Sequence, residues 1–170
     1  MENFKQKLTR IKTILLDVDG VLTNGQVLLM ENGEFIRNMN SKDGYALQLA
    51  VKKGYRIVII SGGHSMPVKK ALENLGVQDI FLSQHDKLQC YKNYIYENGL
   101  QEDEILYMGD DLPDYEVMQR VGIAACPYDA ASEIRQISLY ISNRKGGEGC
   151  VRDIVEQVMR SQGTWEIAGW

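Results

Sequence analysis

Four separated stretches carry side chains whose types and spacing could do chemistry. An apolar run, Ile14-Leu15-Leu16, leads straight into Asp17-Val18-Asp19-Gly20-Val21-Leu22-Thr23; Ser61-Gly62-Gly63 closes a second apolar run; Lys87 opens a later polar-to-helical stretch; and Gly109-Asp110-Asp111, with Asp114 beyond, closes another. One hydroxyl, one ammonium and a group of carboxylates suit phosphoryl transfer to a carboxylate. An aspartate can attack phosphorus and hold the group as an acyl phosphate, which divides one hard displacement into two easier ones. Attacking group and phosphate are both anionic, so a hard cation with oxygen ligands is required, and carboxylates from the first and fourth stretches suit Mg²⁺. Ser61, the amides of Gly62 and Gly63, and Lys87 would orient and neutralise the equatorial phosphoryl oxygens. A second carboxylate whose side chain avoids the metal can protonate the leaving alcohol and later activate water, and Asp19 is placed for that. Each stretch alone reads as an ordinary polar turn or helix entry; the four in order carry the argument.

The elements that must position these residues are legible as apolar runs. A short continuous run ended by a turn signal is a strand buried on both faces, which belongs to a parallel sheet with helices on either side. Strands are expected through 14–16, at 56–60, 79–83, 104–108, near 121–125 and near 139–142, with helices over about 66–75, 86–98, 113–120 and 149–162. Asp43 is expected to cap a helix running to about Lys53, closed by Gly54. Val27-Leu28-Leu29-Met30 and Glu34-Phe35-Ile36 flank Glu31-Asn32-Gly33, a strong hairpin signal. Such alternation predicts an α/β fold with a doubly wound, largely parallel sheet, whose strand carboxyl ends form the ligand edge. In a regular strand Asp17 and Asp19 would face opposite ways, so the backbone must leave the ladder near Gly20 for both to serve one site.

Composition narrows the alternatives. The 170 residues, 44% apolar, predict one domain over 1–170, with a tail of about 163–170 that carries Trp165 and Trp170 and either docks or is disordered. Nineteen basic against 23 acidic residues give a net charge of −4 without a basic run, so nucleic acid is not an expected partner. No apolar run approaches a membrane span and residues 1–10 lack a signal-like apolar segment, which predicts no membrane insertion and a cytoplasmic protein. Cys90, Cys126 and Cys150 show neither a disulfide framework nor zinc-site spacing. His64 and His85 read as surface or loop histidines.

The set Asp17-x-Asp19-Gly20-Val21-Leu22-Thr23, Ser61-Gly62, Lys87 and Gly109-Asp110-Asp111-x-x-Asp114 resembles the four motifs of the haloacid dehalogenase superfamily of phosphatases. Within it, Asp17 to Thr23, the hairpin, Asn40-Ser41-Lys42-Asp43-Gly44, Gly109 to Leu112 and Gly146-Gly147-Glu148-Gly149 resemble the branch acting on 3-deoxy-D-manno-octulosonate 8-phosphate, over about residues 10–162. The resemblance implies a Rossmann-like fold with a hairpin inserted after the first strand. It implies Asp17 as nucleophile, Asp19 as acid and base, and Ser61, Gly62, Gly63 and Lys87 as phosphate binders. Asp17, the Asp19 carbonyl and Asp110 are then the Mg²⁺ ligands, while Asn40, Ser41, Lys42, Asp43, Gly44 and Gln48 meet substrate. Relatives often carry Arg after the Ser/Thr-Gly, where this chain has Gly63-His64. The implied reaction is hydrolysis of an acidic sugar phosphate in lipopolysaccharide precursor synthesis. The substrate alternative is a nine-carbon sugar acid 9-phosphate; the alternative of another class is a catalytically idle binding module, against which stand Asp17, Asp19, Lys87 and Asp110. Hairpin, helix and strands already fill the chain between Asp17, Ser61 and Lys87, which leaves no room for a cap domain. The resemblance therefore implies a homotetramer in which neighbours cover each site, with the hairpin of about 26–36 at the interface.

Overall fold

The computed structural model describes residues 3–166. Among these, strands β1 (Thr13–Leu16), β4 (Arg56–Ile60), β5 (Asp79–Phe81), β6 (Ile105–Met108), β7 (Ile123–Cys126) and β8 (Tyr140–Ile141) form one sheet in the order β5-β4-β1-β6-β7-β8, with every pairing parallel. The chain leaves β1 toward β4 on one side and returns to β6 on the other. The strand order thus reverses at β1, and the crevice beyond its carboxyl end is where such sheets bind ligands.

All four residues of β1 are buried because both sheet faces are covered. Ile14 and Leu16 point into a core shared with helices α1 (Phe4–Leu8), α2 (Ser41–Lys52), α3 (Met66–Asn74) and α7 (Cys150–Ser161). Leu15 points to the opposite core, built with Tyr91 and Tyr94 of α4 (Lys87–Asn98), Val117 and Met118 of α5 (Tyr115–Met118), and Ile134 of α6 (Ser132–Ile137). Alternation along a strand with both faces apolar gives these two layers directly. Strands β2 (Leu28–Leu29) and β3 (Phe35–Ile36) pair antiparallel with each other as a separate two-stranded ribbon, turning at Gly33 with φ +85°.

Several expectations are corrected. Asn40, not Asp43, caps α2: its Oδ1 accepts from the Lys42 amide at 2.9 Å. The segment 40–44 is therefore that cap and the first helical turn. Asp43 is buried instead, and its Oδ1 accepts from the Arg152 amide at 2.7 Å, which ties α2 to the start of α7. The helix expected over 113–120 is a 3₁₀ turn, Leu112–Asp114, followed by the short α5, because the Asp111 and Asp114 side chains close a capping box across the turn. β5 stops at Phe81, two residues early, as Ser83 turns with φ +56°. Helices α1 and α6 were not anticipated; each is too short to show a helical period.

Trp165 docks: its ring meets Tyr45 edge-on at 6.3 Å, and the Arg152 guanidinium stands 5.3 Å over it. Trp170 lies outside the described residues. No helix of the described residues is long and apolar enough to cross a membrane.

Candidate active site

The backbone solves the facing problem at Asp17 by rolling over. The Asp17 amide still makes a ladder bond to the Met108 carbonyl at 3.1 Å, after which Val18–Leu22 form a wide turn closed by the Thr23 amide on the Val18 carbonyl at 3.0 Å. Gly20 sits in this turn with φ +86°, and a Cβ there would collide with the Asp110 carboxylate, so only glycine permits the close approach. The Gly146–Gly147 segment backs the same turn: the Gly147 amide donates to the Val21 carbonyl at 2.9 Å, and a Cβ at Gly146 would strike the Gly20 carbonyl. Both aspartates consequently border one hollow of about 380 Å³, lined by Asp17, Asp19, Ser61, Lys87, Asp110 and neighbouring loop residues that include Gly62 and Gly63.

Lys87, at the start of α4, is 4% exposed, and its ammonium lies 2.9 Å from Asp17 Oδ2 and 2.7 Å from Asp114 Oδ1. Asp114 is the hub of the floor. It also accepts from the Tyr107 hydroxyl at 2.7 Å and, through Oδ2, from the Asp110 amide at 3.1 Å and the Asp111 amide at 3.4 Å. A buried charge is tolerated when its hydrogen-bonding capacity is filled, and both Asp114 oxygens are filled. Sequence reasoning left Asp114 without a role, because the acceptor demand of Lys87 and Tyr107 is visible only once β6 and α4 are side by side. On the facing loop, Ser61 is buried, its Oγ accepts from the Gly63 amide at 3.2 Å, and the Gln84 amide holds its carbonyl at 2.9 Å.

The residues of 40–44 and Gln48 stand apart from this hollow. Asn40 Nδ2 donates to the Gly147 carbonyl at 3.2 Å, and Asn40, Ser41, Gly44 and Gln48 border a separate groove on α2; Lys42 lines another hollow against α7. His85, by contrast, is exposed on its loop and lines the hollow beside Lys87. A further residue without a spacing signal enters from the base of the hairpin: Arg37 donates from Nε to Asp19 Oδ1 at 2.7 Å and from Nη2 to Oδ2 at 3.1 Å.

Carboxylates of Asp17, Asp110 and Asp114 approach within 4.8 Å of one another, and Asp110 Oδ1 is buried with no hydrogen-bond partner. Burial, and then repulsion from Asp114, push the Asp17 carboxyl up to about 7 against the pull of Lys87; burial and repulsion from Asp17 push Asp110 up to about 8. An orphaned oxygen among crowded hard donors fits a small divalent cation, held by Asp17 and Asp110 while Asp114 stays committed to Lys87. Carboxyls near 4 when unfolded take up protons on folding, so the metal-free fold loses stability as pH rises from about 4 toward 8, and a cation that needs the ionised forms binds better over the same rise. Mg²⁺ affinity is therefore expected to strengthen by at least about tenfold from pH 6 to pH 8. Titration calorimetry giving equal affinity at both pH values would contradict this.

No family model matches the chain. Individual relatives do. The 3-deoxy-D-manno-octulosonate 8-phosphate phosphatase KdsC of Salmonella typhi is 30% identical over 162 residues, 95% of this chain and 86% of the relative. The crystal structure of the phosphatase of that name from Moraxella catarrhalis, which holds a magnesium ion, a phosphate ion and a KDO molecule, superimposes with a TM-score of 0.90 at 31% identity, over 94% of this chain and 91% of that one. The phosphatase of that name from Yersinia pestis gives a TM-score of 0.91 at 28% identity, over 94% and 86% of the two chains. Four motifs meeting at the switch point of a doubly wound sheet, with no inserted cap, agree with that likeness. The chain belongs to the haloacid dehalogenase superfamily, in its capless 3-deoxy-D-manno-octulosonate 8-phosphate phosphatase family.

Proposed function

We propose that this protein hydrolyses 3-deoxy-D-manno-octulosonate 8-phosphate to the free sugar acid and inorganic phosphate, with Mg²⁺ as cofactor. The observation that carries the reading is the Asp17 carboxylate, fixed by Lys87 at 2.9 Å on the floor of a hollow bordered by Ser61 and the unpaired Asp110 oxygen. An Asp17 oxygen forms a bond to phosphorus as the ester P–O bond breaks, and the departing alkoxide takes a proton from Asp19. Asp19 then removes a proton from water, which attacks the phosphorus of the aspartyl phosphate and frees phosphate and Asp17. Ser61, the Gly62 and Gly63 amides and Lys87 hold the equatorial oxygens throughout. Asp17, Asp110 and the Asp19 carbonyl would hold Mg²⁺, which would supply the positive charge that lets carboxylate and phosphate approach.

The whole of 1–170 acts as one domain in this reading, in the cytoplasm, supplying a lipopolysaccharide precursor. The test is phosphate release across a panel of sugar phosphates, with the eight-carbon acid expected to exceed the nine-carbon acid and neutral sugars in kcat/KM. A neutral sugar phosphate at the head of the panel would refute the substrate assignment.

The reading includes a homotetramer. The ribbon β2–β3 leaves Leu29 69% and Phe35 58% exposed, along with Leu28 and Ile36, and an isolated two-stranded ribbon is marginal in water unless covered. Closed symmetry would cover these faces and complete an otherwise lidless site. Deleting residues 26–36 is expected to abolish assembly and most activity on the sugar phosphate while hurting an aryl phosphate less. Sedimentation of the intact chain as an active monomer would contradict it.

A further inference from the structure

Lys87 has its role in the proposed reaction; Arg37, which stands beside the hollow on Asp19, has none. Arg37 follows β3 directly; its side chain is 8% exposed and forks onto both oxygens of Asp19 at 2.7 and 3.1 Å. Its remaining terminal nitrogen, Nη1, makes only a 3.5 Å bond to the Phe35 carbonyl, so the planar fork keeps donor capacity to spare. Gly63 faces it. A Cβ at position 63 would lie a tight 3.0 Å from Asp19 Oδ2 and an ordinary 3.4 Å from Arg37 Nη2, so the glycine leaves the Asp19 carboxylate uncrowded where it meets the guanidinium.

The direction of the substrate then follows from the chemistry, and this step rests on the reading given above. Phosphorus sits between Asp17, Ser61 and Lys87, and Asp19 attends the leaving oxygen. The organic part must depart past Asp19, on the side of Arg37 and Gly63. The hollow itself is lined by Asp17, Asp19, Asp110 and Asp111, which repel an acidic leaving group, and Lys87 is already shared by Asp17 and Asp114. A carboxylate accepts a guanidinium fork in the same two-bond geometry that Asp19 does.

We propose that Arg37, facing Gly63, is the specificity-determining residue that receives the carboxylate of the substrate's organic portion. Selection for an acidic substrate is then a property of the loop joining the hairpin to α2, and no cap is needed to read that charge.

The test compares 6-phosphogluconate with glucitol 6-phosphate, which differ in a carboxylate against a hydroxymethyl group, using wild type, Arg37→Gln and Arg37→Lys, each loaded with Mg²⁺. Wild type is expected to favour the acid in kcat/KM by at least tenfold. Arg37→Gln should erase that preference chiefly through KM, and Arg37→Lys should restore part of it. A preference unchanged in Arg37→Gln overturns the proposal, as does a wild type with no preference, or equal losses on both substrates, which would leave Arg37 only a positioning residue for Asp19. Wild-type hydrolysis of 3-deoxy-D-manno-octulosonate 8-phosphate is measured separately, so a failure of that substrate assignment shows on its own and leaves the Arg37 comparison to be decided by the paired substrates.

Discussion

Asp17→Asn is expected to lose at least about a thousandfold in kcat/KM, since removing a nucleophile removes the covalent route itself. The fold should survive. Asn matches the shape of Asp, and the replaced carboxyl is one that burial and Asp114 already hold up at about 7, so relieving the crowding offsets the weaker contact to Lys87. Phosphate release together with a melting curve checks both halves. Activity within tenfold of wild type would remove Asp17 from the role of nucleophile.

Asp114→Ala is expected to be the most destabilising single change in the site, at about 3–5 kcal/mol, because it strips one partner from a buried ion pair. Lys87, 4% exposed, would keep only Asp17, while the Tyr107 hydroxyl and the amides of Asp110 and Asp111 would lose their acceptor. Activity should fall as well, since the carboxylates of the floor are oriented through Asp114. Denaturant unfolding gives the first number. Combining Asp114→Leu with Lys87→Met should cost less than the sum of the single changes, because the ammonium and the Asp114 carboxylate that each single change strands are removed together. A loss below about 1 kcal/mol for Asp114→Ala would show that the hub carries little energy.

Much of the sheet was legible because its strands are apolar on both faces, and runs such as Arg56-Ile57-Val58-Ile59-Ile60 admit few other readings. Asp17, Asp19, Ser61, Lys87 and Asp110 were legible for a related reason: each stands just after a strand or at the entry to a helix, where the sequence marks the sheet's edge. What was not legible depends on approach between distant segments. Arg37 reaches Asp19 across 18 positions from the base of an exposed ribbon, and nothing in its spacing announces the ion pair. Asp43 has the right chemistry for a cap, as does Asn40; the choice between them is made by the Arg152 amide, 109 positions away. The grouping of Asn40 to Gly44 with the catalytic residues came from resemblance, and in one subunit these residues instead join α2 to α7 and to the glycine segment behind the Asp19 turn.

In the proposed mechanism Asp17 takes the phosphoryl group from substrate. Acid quenching during turnover of an aryl phosphate, whose leaving group departs without a proton, by Asp19→Asn with Mg²⁺, followed by peptide mapping, checks this, because loss of the base should leave the acyl phosphate standing. One phosphoryl group is expected on the peptide containing Asp17. Free phosphate accumulating while that peptide stays unmodified, or label on a different residue, would contradict it.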